Sequence, residues 1–330
     1  MTGFALNNIT DCYLGNTQVT AIYLGQNKIW PTMPHDYSQD PLTFEVLEAG
    51  QFKFTPSSTN SSPMAYSLDN GTTWNVMQDD TWTATIPAGS KMIFDCYEPT
   101  PAYNPPSGGG TYYYGIGFFS STGNFNISGN IGTILEGYLA VGLDPAAASS
   151  WPSLDIHQFH GLFDNCQHLI SAEHLYLPTG TMTDYCYDGM FSGCNSLTSA
   201  PALPATTLTQ SCYLGMFRSC WSLTLAPELP ATTLAQSCYA YMFSGCTSLT
   251  TAPLLPAPTL AERCYAEMFY NCTSLTSITC LATDISASSC TAWWVENLLP
   301  TGTFTKAASM NDWTTGSDGI PSGWTVVNAS

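Results

Sequence analysis

The spacing of apolar residues along the chain changes character near residue 155. Between 42 and 140 apolar and polar positions alternate in short runs: "LTFEVLEAGQFKFTP" reads as two strands around the turn "EAGQ", and "DDTWTATIPAGSKMIF" continues in the same style. This span predicts a β-sandwich-like domain. From 155 to 300 the pattern becomes cyclic. Phe191, Phe217, Phe243 and Phe269 recur at a constant step of 26 residues, and Cys186, Cys212, Cys238, Cys264 and Cys194, Cys220, Cys246, Cys272 keep the same step. "GLFDNCQHL" (161–169) is a divergent earlier copy, and Cys290 with Trp294 and Val295 continues the series beyond the regular ones.

Each copy reads C-Y-x-x-M-F-x-x-C-x-S-L-T, followed in the middle copies by A-P-x-L-P-A-T-T-L. Spacings of 4, 5 and 8 between apolar residues predict a short helical segment with one buried face, ended by the Gly or Asn before the second Cys. "SLTSA" and its equivalents are then extended, and "LPATTL" turns the chain back. One copy cannot fold alone. About seven apolar side chains at about 2 kcal/mol each do not offset about 1.5 kcal/mol of ordering for each of its residues, so the copies must stack. Pro201, Pro227 and Pro253 share one position and have no N–H for a ladder, which predicts a very short strand there; Glu173 and Thr279 hold that place in the flanking copies. Residues 301–330 lack the period and read as a cap.

"MFSGCTSLTTAPLLPAPTL" and its neighbours resemble the BspA-like leucine-rich repeats, in which an "aF-x-x-C-x-x-L" core precedes a short strand and an L-P turn. The resemblance implies a mixed fold, β domains plus a repeat solenoid of about six coils over 155–300. It also implies a surface-binding or adhesin role and a non-enzyme, since the family's proteins resemble adhesins and surface-binding modules and are not enzymes as a class. "ITDCYLGNTQVTAIYLGQNKIWPT" (9–32) contains two Tyr-Leu-Gly half-repeats that predict short strands joined by tight turns. This opening resembles the N-termini of tail and fibre proteins of gut bacteriophages. The resemblance implies that residues 1–33 attach to other virion proteins through Tyr13, Tyr23 and Trp30. An ordinary hairpin packed on the next domain is the other reading.

Charge removes several function classes. Of 330 residues only 6 are Lys or Arg against 24 Asp or Glu, a net charge of −18, and the cations are scattered singly. Nucleic acid and anionic membranes are therefore not expected partners. No stretch approaches the apolar length needed to cross a bilayer, and the N-terminus has no export signal, so synthesis in a cytoplasm is expected. The thirteen cysteines are spaced C-x₇-C rather than as the close pairs of zinc sites. They read as a buried column of free thiols, with no metal or cofactor. His157, His160, His168 and His174 surround Cys166, yet His168 and His174 map to different sides of a coil. "SLDNGTTW" (67–74) matches the Asp-box, a structural hairpin turn. No catalytic motif is present, and the expectation is a non-enzyme.

Side chains that vary on the repeat frame are the candidates for binding: Trp221, Tyr241, Tyr270 and Arg218 stand where other copies have small or polar residues. Together these readings lead to the expectation of a virion appendage, assembled in the host cytoplasm as a homo-oligomer, that recognises a host-surface glycan or protein. A bacterial cell-surface adhesin is the alternative, and a glycan-cleaving enzyme is a third class suggested by the Asp-box alone.

Overall fold

The structure, a computed structural model, describes residues 41–56, 64–96, 116–134, 159–178 and 182–329, with the backbone of four short strands between 13 and 30. It is β-rich. The described residues form five separate sheets, none closed, and helix is confined to one 3-10 turn at Ile131–Ile134. Strands β1 (Tyr13–Leu14) and β2 (Thr17–Gln18) pair antiparallel, as do β3 (Ile22–Leu24) and β4 (Asn27–Trp30). The side chains of Tyr13, Tyr23 and Trp30, the loop 99–115 and the link 143–154 lie outside the described residues.

The next strands are β5 (Thr43–Val46), β6 (Phe52–Pro56), β7 (Met64–Ser67), β8 (Asn75–Val76), β9 (Lys91–Cys96), β10 (Gly117–Ser121), β11 (Phe125–Asn130) and β12 (Leu169–Tyr176). They form a six-stranded sheet in the order β12-β11-β5-β9-β7-β8 and a two-stranded sheet β10-β6. Alternation along β5 and β6 buries Phe44, Val46, Phe52 and Phe54 between the sheets. Phe44 touches Phe52, Phe94, Phe119 and Phe125, with ring centroids 4.3–5.9 Å apart. β12 comes from the first copy of the cyclic segment but runs parallel to β11, so the two halves of the chain share one sheet. They also share one core: Phe163 of that copy stacks on Phe119 at 5.7 Å.

Beyond β12, successive 26-residue units lie one on the next. The segment expected to be helical is instead a ribbon of consecutive turns. In the second unit the N–H groups of Cys186, Asp188, Met190, Ser192 and Cys194 bond the carbonyl three residues back, while those of Tyr185, Tyr187, Gly189, Phe191 and Gly193 bond carbonyls of the next unit. Left-handed residues fall at every fourth place, Tyr185, Gly189 and Gly193, and again at Ser211, Gly215 and Ser219. The small residue before the second Cys is therefore one of these left-handed positions rather than a helix stop. Gly193 is also held by space, since a Cβ there would come within 2.5 Å of Asn165 Oδ1. A four-residue repeat turns two side chains in and two out, which is the rhythm of C-Y-x-x-M-F-x-x-C.

The inward side chains form columns. Phe163, Phe191, Phe217, Phe243 and Phe269 stack with centroids 5.5–5.9 Å apart and planes within 7°. Phe159, Tyr187, Tyr213, Tyr239 and Tyr265 form a second column. Trp294 ends both, lying over Tyr265 and Phe269, and Trp313 stacks on its other face at 5.4 Å. Between the middle units the extended segments make only isolated bridges, such as Thr207 with Thr233, because Pro201, Pro227 and Pro253 offer no N–H. Strands reappear where the proline is absent: β13 (Ser277–Cys280) contains Thr279 and pairs parallel with β14 (Thr303–Lys306), which pairs with β15 (Thr325–Asn328). The terminal segment thus extends the stack by two more strands.

The Tyr213 hydroxyl is buried with no hydrogen-bond partner, a state that costs on the order of 1 kcal/mol or more. Tyr213→Phe should therefore stabilise the protein by about 1 kcal/mol in chemical denaturation, whereas Tyr187→Phe, which removes a bond to the Pro178 carbonyl, should destabilise it.

Candidate functional site

The outward side chains of the turn ribbon form a face that differs from unit to unit. One column of left-handed positions reads Gly189, Gly215, Tyr241, Glu267, Trp293. Tyr241 and Trp293 are large residues in a conformation that two units fill with glycine. Trp293 is 57% exposed. The Arg218 guanidinium, from the unit before, lies 5.6 Å from the centre of the Tyr241 ring. The Tyr241 phenol is held above its usual pKa by partial burial first and then by the Glu267 carboxylate, with Arg263 and Arg218 pulling the other way. The structure thus brings Arg218 and Tyr241 together and adds Glu267 and Arg263. Trp221 is 54% exposed and Tyr270 half-buried, and among the described residues neither makes a ring contact with that cluster. Leu225, 71% exposed, and Trp293 escaped the sequence reading. The frame itself could have found Trp293, which lies two steps of 26 beyond Tyr241.

The cysteines are core groups. Eleven described cysteines are buried and free of disulfides. The thiols of Cys194, Cys220, Cys246 and Cys272 donate to the carbonyls of Phe163, Phe191, Phe217 and Phe243, one unit back, at 3.0–3.1 Å. Burial pushes the Cys272 thiol up to about 12 and the Cys194, Cys220 and Cys246 thiols well above the usual value. The second column, Cys186, Cys212, Cys238 and Cys264, is fully buried beside the tyrosines, and its thiols are raised by burial as well. These are neutral thiols, poor as nucleophiles and as metal ligands. Among the described residues no group of three or more His, Cys, Asp or Glu is placed to hold a metal ion.

The described histidines of the first unit have separate surroundings. His157 lies outside the described residues. His160 Nδ1 is 3.3 Å from Asp188 Oδ2, and that carboxylate raises the imidazole pKa against the opposing effect of burial. His168 Nδ1 meets Asn124 Oδ1 at 3.1 Å, linking the first unit to the β domain, and His174 sits in register with Ser128 of β11.

The Asp-box is the turn between β7 and β8. Asp69 accepts bonds from the Thr73 N–H and hydroxyl, each at 2.7 Å, and from the Ser67 hydroxyl. Asn70 and Gly71 take positive φ. Hydrogen bonds from Thr73 and then Ser67 lower the Asp69 pKa to about 2. The carboxylate is spent on its own loop. On the same domain, Lys53 pairs with Asp80 at 2.7 Å and lies over Trp82.

Comparison with models of known protein families, with characterised proteins and with solved structures found no match.

Alkylation at pH 8 should leave Cys194, Cys220, Cys246 and Cys272 unmodified in the folded protein and label them after denaturation; labelling of any of the four in the native state would show that this column is open to solvent. Asp69 stabilises its turn only as the anion, so its contribution is complete above about pH 4 and is lost as pH falls toward 2. The Thr73 amide resonance should therefore titrate with a midpoint near 2, and a midpoint near 4 would mean that the turn bonds do not form in solution.

Proposed function

We propose that the stacked units form a BspA-like leucine-rich-repeat solenoid and that the chain is a non-enzymatic binding protein, a phage virion appendage that recognises the host surface. The observation that carries this reading is the contrast between the two sides of the turn ribbon. Inward positions repeat the same residues in every regular unit, whereas outward ones change and include the exposed Trp221 and Trp293 and the exposed Arg218 and Arg263. A scaffold that holds its core constant while varying exposed aromatic and cationic groups is suited to recognition, because binding energy concentrates in such residues. In this reading residues 1–33 join other virion proteins, the particle carries several copies of the chain, and assembly takes place in the host cytoplasm.

Antibodies against the purified chain should decorate phage particles in electron micrographs and block their adsorption; decoration of the envelope of uninfected bacteria would replace the virion reading with that of a cell-surface adhesin. Trp221→Ala combined with Trp293→Ala should weaken binding of the chain to host cells tenfold or more, about 1.4 kcal/mol or above, with the melting temperature unchanged. Unaltered cell binding would move the recognition surface elsewhere.

A further inference from the structure

Arg218 and Arg263 are two of only six cations in a chain with 24 acidic residues. Lys53 is paired with Asp80, and Lys306 donates to the Met310 carbonyl. Both arginines are exposed, and neither forms an ion pair among the described residues. They belong to the units immediately before and after that of Tyr241, Arg218 with its guanidinium 5.6 Å from the ring centre and Arg263 at a left-handed position of the following unit, and both positive charges favour the ionised phenol. The Arg218 side chain beside that ring is exposed, and a guanidinium free of an ion pair can receive a carboxylate through two parallel bonds. Partial burial first, and then the Glu267 carboxylate, raise the phenol's pKa. Ser219, Gly245 and Asn271, partly exposed beside them, are small or polar, and Ser244 is buried. The half-buried Tyr270 and exposed Trp221 make no ring contact with Tyr241 among the described residues, so the rings do not merge into an apolar patch of the kind that buries a protein partner. Separated aromatic faces among hydroxyl and amide groups fit a hydroxylated ring ligand.

We propose that Arg218 and Arg263, flanking Tyr241, read a carboxylate, and that the ligand of this face is an acidic saccharide, a sugar ring bearing a carboxyl group. This inference rests on the proposed recognition role of the stack. The net charge of −18 sets a limit on the ligand: a densely charged polyanion is repelled by the molecule as a whole, while a sparsely charged saccharide needs only the local cations.

Isothermal titration of the full chain with 3′-sialyllactose and the methyl glycoside of galacturonate, each bearing one carboxylate, against lactose and methyl galactoside, tests it. At least one carboxylated sugar should bind ten or more times more tightly than its neutral counterpart. Arg218→Gln should remove most of that preference. Tyr241→Gly should do the same without harm to the fold, because glycine already fills this position in two units; melting curves of both variants check this. Equal affinity for acidic and neutral sugars, an acidic preference that survives both substitutions, or equally tight binding of tetraglutamate would each overturn the inference. Those outcomes would leave host-cell binding, read with the Trp221 and Trp293 variants, to stand or fall separately.

Discussion

The structure depends on how the turn ribbon divides its amide groups. Alternate N–H groups close local turns, and those between them reach carbonyls of the following unit, five in each of the regular units, as from Tyr213, Phe217 and Ser219 to Cys238, Met242 and Ser244. Every donor in the buried ribbon is thus satisfied without a helix or a long strand, which meets the demand that buried backbone groups be paired. The cost is conformational, since a left-handed residue is required at every fourth place whether or not it is glycine. Stacked rings and buried thiols offset that cost, and they do so only when a neighbouring unit is present.

The two ends solve different problems. At the first unit, β12 enters the six-stranded sheet and Phe163 enters the aromatic core of the β domain, so the stack begins on a surface that is already ordered. At the other end a single indole, Trp294, covers both aromatic columns; its N–H bonds the Gly319 carbonyl, and Asp318 receives the Trp293 N–H. The terminal segment accordingly holds the last full unit by specific polar contacts as well as by apolar cover.

Much of this was legible in the sequence, and the failures have physical causes. The step of 26 residues between phenylalanines and cysteines showed which residues are equivalent, and the serine, aspartate and glycine of "SLDNGTTW" marked their turn. The turn ribbon reads as helix in the sequence because spacings of 4, 5 and 8 fit a 3.6-residue period almost as well as a four-residue one. The left-handed positions gave no clear signal, since Tyr185, Ser211, Arg263 and Glu267 stand among the glycines. The pairing of β12 with β11 was hidden because no local pattern identifies a parallel partner some forty residues away. At the candidate site, Arg218 and Tyr241 each stand out on the repeat frame, but their contact depends on the lateral register between units, which the linear spacing does not contain.

Residues within one layer meet only the layers above and below, and each layer adds 5.5–5.9 Å to the Phe column. Both ends are specialised and the middle is not. An internal layer could therefore be gained or lost by in-frame duplication or deletion of 26 residues without disturbing either terminus. The lateral surface would lengthen or shorten in fixed increments, carrying a new set of outward side chains each time, which gives such a molecule a simple genetic route to altered reach and altered recognition.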